Sequence, residues 1–99
     1  VINLIAKKHE IEMRVTLAVC DKEHLGKTFE EGNICFIASE RFYGKEEITP
    51  EELREMLKEA DSINLFGDKC VEIAIKEGFV GEKNFILIKG IKHAQTYRV

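Results

Sequence analysis

The chain has 99 residues, of which 44% are hydrophobic and 33% charged, with seven Gly, one Pro and a formal net charge of −3. That length suits one domain with one modest core, and the apolar share excludes a disordered chain. The acidic balance argues against a protein that coats nucleic acid non-specifically, because such binding needs many phosphate-neutralising cations. Charge is nevertheless uneven: from Phe79 onward Lys83, Lys89, Lys92 and Arg98 face only Glu82, a net of +3, which leaves −6 for the residues before them. The ordinary reading of that basic end is a set of solvated positions around a last strand.

Cys20, Cys35 and Cys70 are odd in number and widely spaced, with no C-x-x-C pair, so neither a disulfide framework nor a zinc knuckle is indicated. All three are expected to be reduced and mostly buried, in a cytoplasmic setting. No apolar run approaches the ~18 residues of a membrane span, and no signal-peptide succession is present. The chain opens on Val1 rather than Met, so a native residue is expected to precede it.

In chain order, Val1 to Ala6 reads as a strand, with Lys7-Lys8-His9-Glu10 as the turn after it. Ile11 to Cys20 alternates cleanly, setting Ile11, Met13, Val15, Leu17 and Val19 on one face of a second strand. Asp21 to Asn33 carries Gly26, Gly32 and many charges, and reads as a long polar loop with one short helical turn at Asp21 to Leu25. Ile34 to Ser39 is the next strand, closed by Glu40-Arg41-Phe42-Tyr43-Gly44. Thr49-Pro50-Glu51-Glu52 is a capping box with Pro at the first helical position, followed by a helix from Pro50 to Ala60 whose apolar stripe is Leu53, Met56, Leu57 and Ala60. Asp61 to Gly67 connects it to a second helix, Asp68 to Glu77, which Gly78 ends. Phe85 to Ile91 is the final strand, continuing loosely to Val99. The expected architecture is α+β: one small domain, 1–99, with a mainly antiparallel sheet and two helices packed on one face.

Gly26-Lys27-Thr28 has the look of the end of a phosphate-binding loop, but Asp21 stands where such a loop needs glycine and no helix signal follows. No two of His9, His24 and His93 stand at an i, i+3 or i+4 metal-ligand spacing, so no metal and no cofactor is expected. Lys92-His93-Ala94-Gln95 lies beyond a strand among cations, where a His and an amide can meet a polar ligand. Phe42 and Tyr43, flanked by Arg41 and Lys45, suit stacking on bases, with packing under the turn as the plainer alternative.

Five ordered segments carry a resemblance: Ala18-Val19-Cys20-Asp21, Leu25-Gly26-Lys27-Thr28-Phe29, Ser39-Glu40-Arg41-Phe42-Tyr43-Gly44, Asn64-Leu65-Phe66-Gly67 and Gly90-Ile91-Lys92-His93-Ala94-Gln95. Together, from about Glu12 to Gln95, they resemble the DUF424 family of short archaeal proteins. The resemblance implies a single α+β domain and an archaeal source. It supplies no catalytic residues, and only a loose association with the translation apparatus and RNA.

The leading expectation is a non-catalytic accessory protein that binds RNA or a ribonucleoprotein. Asp21, Gly26, Lys27, Thr28, Lys92, His93 and Gln95 are its binding candidates, and Glu40, Arg41, Tyr43 and Asn64 its secondary ones. A small enzyme acting on a phosphorylated or acidic metabolite is the alternative, with Lys27 or His93 as electrophile or acid and Asp21 or Glu40 as base. A protein-interaction module using a sheet edge or the Phe42-Tyr43 turn is the third. If the strand ending at Cys20 pairs with Ile34–Ser39 as a hairpin, the Asp21–Phe29 and Glu40–Gly44 segments lie at opposite ends of the sheet.

Overall fold

A computed structural model describes residues 1–97; Arg98 and Val99, at the tip of the expected last strand, lie outside the described residues. Strands β1 (Leu4–Ile11), β2 (Arg14–Asp21), β5 (Glu46–Ile48), β6 (Ser62–Phe66), β7 (Ile86–Ile88) and β8 (Ile91–Tyr97) form one sheet in the order β5-β1-β2-β6-β8-β7. Strands β3 (Thr28–Glu31) and β4 (Ile34–Ile37) form a separate hairpin. The helices are α1 (Glu40–Tyr43), α2 (Pro50–Glu59) and α3 (Asp68–Lys76). Every neighbouring pair of the main sheet is antiparallel except β2 and β6, which run parallel. The α+β class and the mainly antiparallel sheet are as the sequence suggests.

Helices α2 and α3 cover one face, where Leu53, Leu57, Val71 and Ala74 meet Leu4, Leu17, Val19, Ile63, Leu65 and Ala94 in the main core. The opposite face is covered only at one end, by α1 and the β3–β4 hairpin. There Ala18, Cys20, Ala38, Tyr43, Phe66 and Ile88 form a second core, with Phe29 and Phe36 packed on it. Residues Leu17 to Asp21 are consequently buried on both faces of β2.

Several boundaries differ from the sequence reading. The β1–β2 turn is at Glu12-Met13 instead of 7–10, and both its residues have positive φ (49° and 68°), although neither is a turn-former. Ile11 and Met13, assigned to a buried strand face, are therefore exposed at the tip. The loop after Asp21 contains a hairpin: Ile34–Ile37 pairs with Thr28–Glu31 across Gly32-Asn33, and not with β2. Cys35 consequently lies on an exposed strand, against the expectation of burial, while Cys20 and Cys70 are buried. Asp61–Gly67 is no mere connection but holds the central strand β6, and the last strand is two, folded at Lys89-Gly90. The short β5 had no clear sequence signal.

Two carboxylates fix the parallel pair at its ends. At the start, Val15 N–H donates to Asp61 Oδ2 (2.7 Å) while Asp61 N–H donates to Val15 O (2.8 Å). At the finish, Asp21 and Gly67 follow the paired residues Cys20 and Phe66. Asp21 accepts from Lys69 N–H at Oδ2 (2.9 Å) and from Cys70 N–H at Oδ1 (3.0 Å), satisfying the first turn of α3 from 48 residues away. Gly67 has φ +130°, and a Cβ there would stand 2.2 Å from Asp21 Cγ. Only glycine fits.

Gly67→Ala is therefore expected to cost about 3 kcal/mol or more in a denaturation series, through backbone strain and displacement of Asp21 together. The Thr49 capping box is formed in both directions (Thr49 N–H to Glu52 Oε1, 2.9 Å; Glu52 N–H to Thr49 Oγ1, 3.1 Å). Thr49→Ala is expected to cost about 0.5–2 kcal/mol by the same measurement, and an unchanged midpoint would show that the box contributes nothing.

Candidate functional site: a polar trough on the sheet

Period-two alternation sends one side chain from each strand to the face opposite α2 and α3. The register aligns them in cross-strand rows: Ile5, Cys20, Phe66, His93 and Ile86; then Lys7, Ala18, Asn64 and Gln95; then His9, Thr16, Ser62 and Tyr97. The first row lies under the hairpin, where Phe36 packs on Phe66 with ring centroids 4.4 Å apart and on His93 at 5.0 Å. The other two rows are polar apart from Ala18, which is buried in the second core.

Three adjoining depressions make these rows a trough. The first, about 360 Å³, is lined by Lys83, Asn84, Phe85, Ile86, His93 and Gln95. A central one of about 160 Å³ is lined by Thr16, Phe42, Ser62, Ile63, Asn64, Gln95 and Tyr97. The third, about 310 Å³, adds His9, Ile11, Glu12 and Arg14 to the shared Thr16, Ser62 and Tyr97. Lys83 thus stands at one end and Arg14 with Glu12 at the other, while the central stretch is uncharged.

The floor is held by a small network. Tyr43 Oη donates to Asn64 Oδ1 (2.7 Å), and His93 Nε2 lies 3.3 Å from the same oxygen. Thr16 Oγ1 and Ser62 Oγ are 2.7 Å apart. His9 stacks on Phe42 at 4.9 Å and contacts its carbonyl oxygen through Nε2 at 2.7 Å, fixing the wall. Burial pushes the Tyr43 hydroxyl far above its ordinary pKa and lowers that of His93, so at neutral pH the first keeps its proton and the second is uncharged.

Of the sequence candidates, His93, Gln95 and Asn64 line this trough, and Tyr43 adjoins it through its hydrogen bond to Asn64. Lys92 points to the other face, where its backbone N–H donates to Asp68 and its ammonium pairs with Glu72. Gly26, Lys27 and Thr28 lead into the hairpin, with Gly26 N–H donating to Ala38 O and Ala38 N–H to Lys27 O. Those bonds bring the two ends of the 26–38 segment together, so Asp21–Phe29 and Glu40–Gly44 approach one another and are not separated by the length of the sheet. Glu40 pairs with Lys45, and Arg41 is exposed, its carbonyl accepting from Lys7. Phe42, which the sequence offers for stacking, forms a wall, and the trough residues that the sequence reading missed include Thr16, Ser62, Asn84 and Tyr97. Their one legible signal was the alternation of Ser62, Asn64 and Phe66 against Ile63 and Leu65.

Asp21 is a buried structural carboxylate. Among the described residues Asp21, Glu23 and His24 bring ligand atoms within 4.8 Å of one another, but both Asp21 oxygens already accept from α3 and Glu23 pairs with Lys69. Desolvation raises the Asp21 pKa above its ordinary 3.8, against the lowering effect of the Lys69 and Cys70 amides. The folded state therefore holds this proton more tightly than the unfolded chain, and its contribution is full below the ordinary value and lost as pH rises through the raised one. The stability gap between the wild type and Asp21→Asn is expected to shrink over that rise. A gap that widened with pH in urea titrations would contradict the sign. Burial also pushes Cys20 up to about 12 and Cys70 well above its ordinary range. Cys35 alone is expected to react rapidly with a thiol reagent in the folded protein, and a second fast thiol would show the cores to be open.

The fold and its trough define a small α+β domain with a half-covered sheet. Residues 9–99 match the family described as a protein of unknown function (DUF424), and the chain belongs to that family. Its fold is similar to the crystal structure of an uncharacterized conserved protein from Methanopyrus kandleri, with a TM-score of 0.83 and 24% identity over 98% of this chain and 92% of that one, a likeness of fold alone. No curated protein matches the chain. No helix among the described residues is long and apolar enough to cross a membrane.

Proposed function

We propose that the protein is a non-catalytic RNA-binding domain that takes a single-stranded segment, free or within a ribonucleoprotein, across the trough. The observation that carries this reading is the order of chemistry along it: Lys83 at one end, Arg14 together with Glu12 at the other and, between them, neutral hydrogen-bonding side chains beside aromatic rings. Single strands are bound by such combinations, because phosphates need cations while bases offer stacking faces and donor or acceptor edges. Tyr97, 77% exposed, presents a ring to solvent, and Phe42, stacked on His9, lines the same central depression. The overall charge of −3 fits a short contact with few phosphates.

The rival enzyme has less support. Asp21 is committed to α3, Glu40 to Lys45, Lys27 lies on the hairpin and His93 stands in the trough, so the four show no shared cavity. Fluorescence anisotropy with a labelled single-stranded RNA across a salt series tests the proposal. Two phosphate contacts are expected to give a slope of about −1.4 in log affinity against log salt, with weaker binding of the same sequence as a duplex. Absence of binding, or a flat salt response, would remove RNA as the partner.

A further inference from the structure

Resting on that reading, we infer that the central depression is a pocket for one unpaired base, and that Asn64 contacts the base as a donor through its side-chain amide. The lining of this depression has no charged side chain. A phosphate bound there would face no cation. Its volume of about 160 Å³ equals roughly five water molecules at ~30 Å³ each. That is room for a ring, with Phe42 and Tyr97 in the lining as surfaces on which it can lie.

The direction of the contact follows from what already occupies Asn64. Its Oδ1 accepts from Tyr43 and faces His93 Nε2, so two neighbours hold the carbonyl end of the amide. Tyr43 is itself fixed, being 1% exposed in the second core. The Nδ2 group makes no hydrogen bond among the described residues and is left to offer N–H to the depression. A complementary atom must be an acceptor, which on a base is a carbonyl oxygen or an unprotonated ring nitrogen. Gln95, the cross-strand partner of Asn64, is exposed and turns either end of its amide to the same ligand. Asn64 is thus the rigid member of the pair and Gln95 the adaptable one.

The test uses labelled oligouridine, oligocytidine and oligoadenosine decamers with the whole chain. Asn64→Asp keeps an acceptor facing Tyr43 and His93 but replaces the outward N–H by a second acceptor. It is expected to retain the wild-type denaturation midpoint and to lose about tenfold in affinity. The loss should persist at about 0.5 M salt, where repulsion between a new carboxylate and the phosphates is screened. In the wild type, the Asn64 side-chain N–H resonances should shift on adding unlabelled decamer. Wild-type affinity in a folded Asn64→Asp protein would overturn the base pocket while leaving the RNA reading standing. If that variant does not fold, Asn64 resonances that stay fixed at saturating decamer would overturn it equally. Failure of the wild type to bind any decamer would overturn both.

Discussion

The parallel contact between β2 and β6 is the constraint on which the rest depends. Parallel strands finish at the same end of a sheet, so the residues that follow them, Asp21 and Gly67, become neighbours. The Asp21 carboxylate then lies where α3 begins and takes its two first-turn amides, which would otherwise be buried donors without partners. α3 is in this way tied to the centre of the sheet, with Cys70 Sγ reaching back to the Gly67 carbonyl oxygen at 3.4 Å. Asp61 repeats the device at the opposite end, where it links β2 to the first residue before β6. The register between the two strands is held from both sides, and with it the alignment of Thr16 with Ser62 and of Ala18 with Asn64.

That alignment sets the difference between the two sheet faces. On one, apolar residues from β1, β2, β6 and β8 meet two amphipathic helices and exclude water. On the other, the small hairpin covers only the end where Phe66 lies, and Phe29, Phe36 and His24 cluster about that ring. Beyond it the side chains become hydroxyls and amides, as expected of a surface that stays hydrated until something binds. Every buried side-chain polar atom among the described residues has a partner. The outward amides of Asn64 and Gln95 are therefore a feature of the open surface and not an unresolved defect of the core.

Much of the local structure was legible. The capping box at Thr49, the stripe of α2, the extent of α3 and the glycine after it follow from short-range chemistry, because a helix terminus is satisfied by residues within one turn. The hairpin at Gly32-Asn33 carries a signal too, two turn-forming residues between β-like runs, but the charges and glycines around it make the same stretch look like one longer loop. The Glu12-Met13 turn carried none: both residues take positive φ because the flanking strands pair, not because of their own preference.

The sequence by itself determined the family, the α+β class and the chain's two longer helices, since these rest on composition, ordered segments and periodicity. It also pointed to His93, Gln95 and Asn64, without indicating that they share a surface. Tertiary structure decided that Lys92, beside His93 in the chain, faces α3, because neighbouring residues of a strand point to opposite sides of the sheet. It decided equally that Asp21 is a helix cap and that Asn64 and Gln95 stand side by side. Both outcomes depend on which strands pair and in which register, and that is settled by long-range packing between segments whose separation in the chain leaves no local mark.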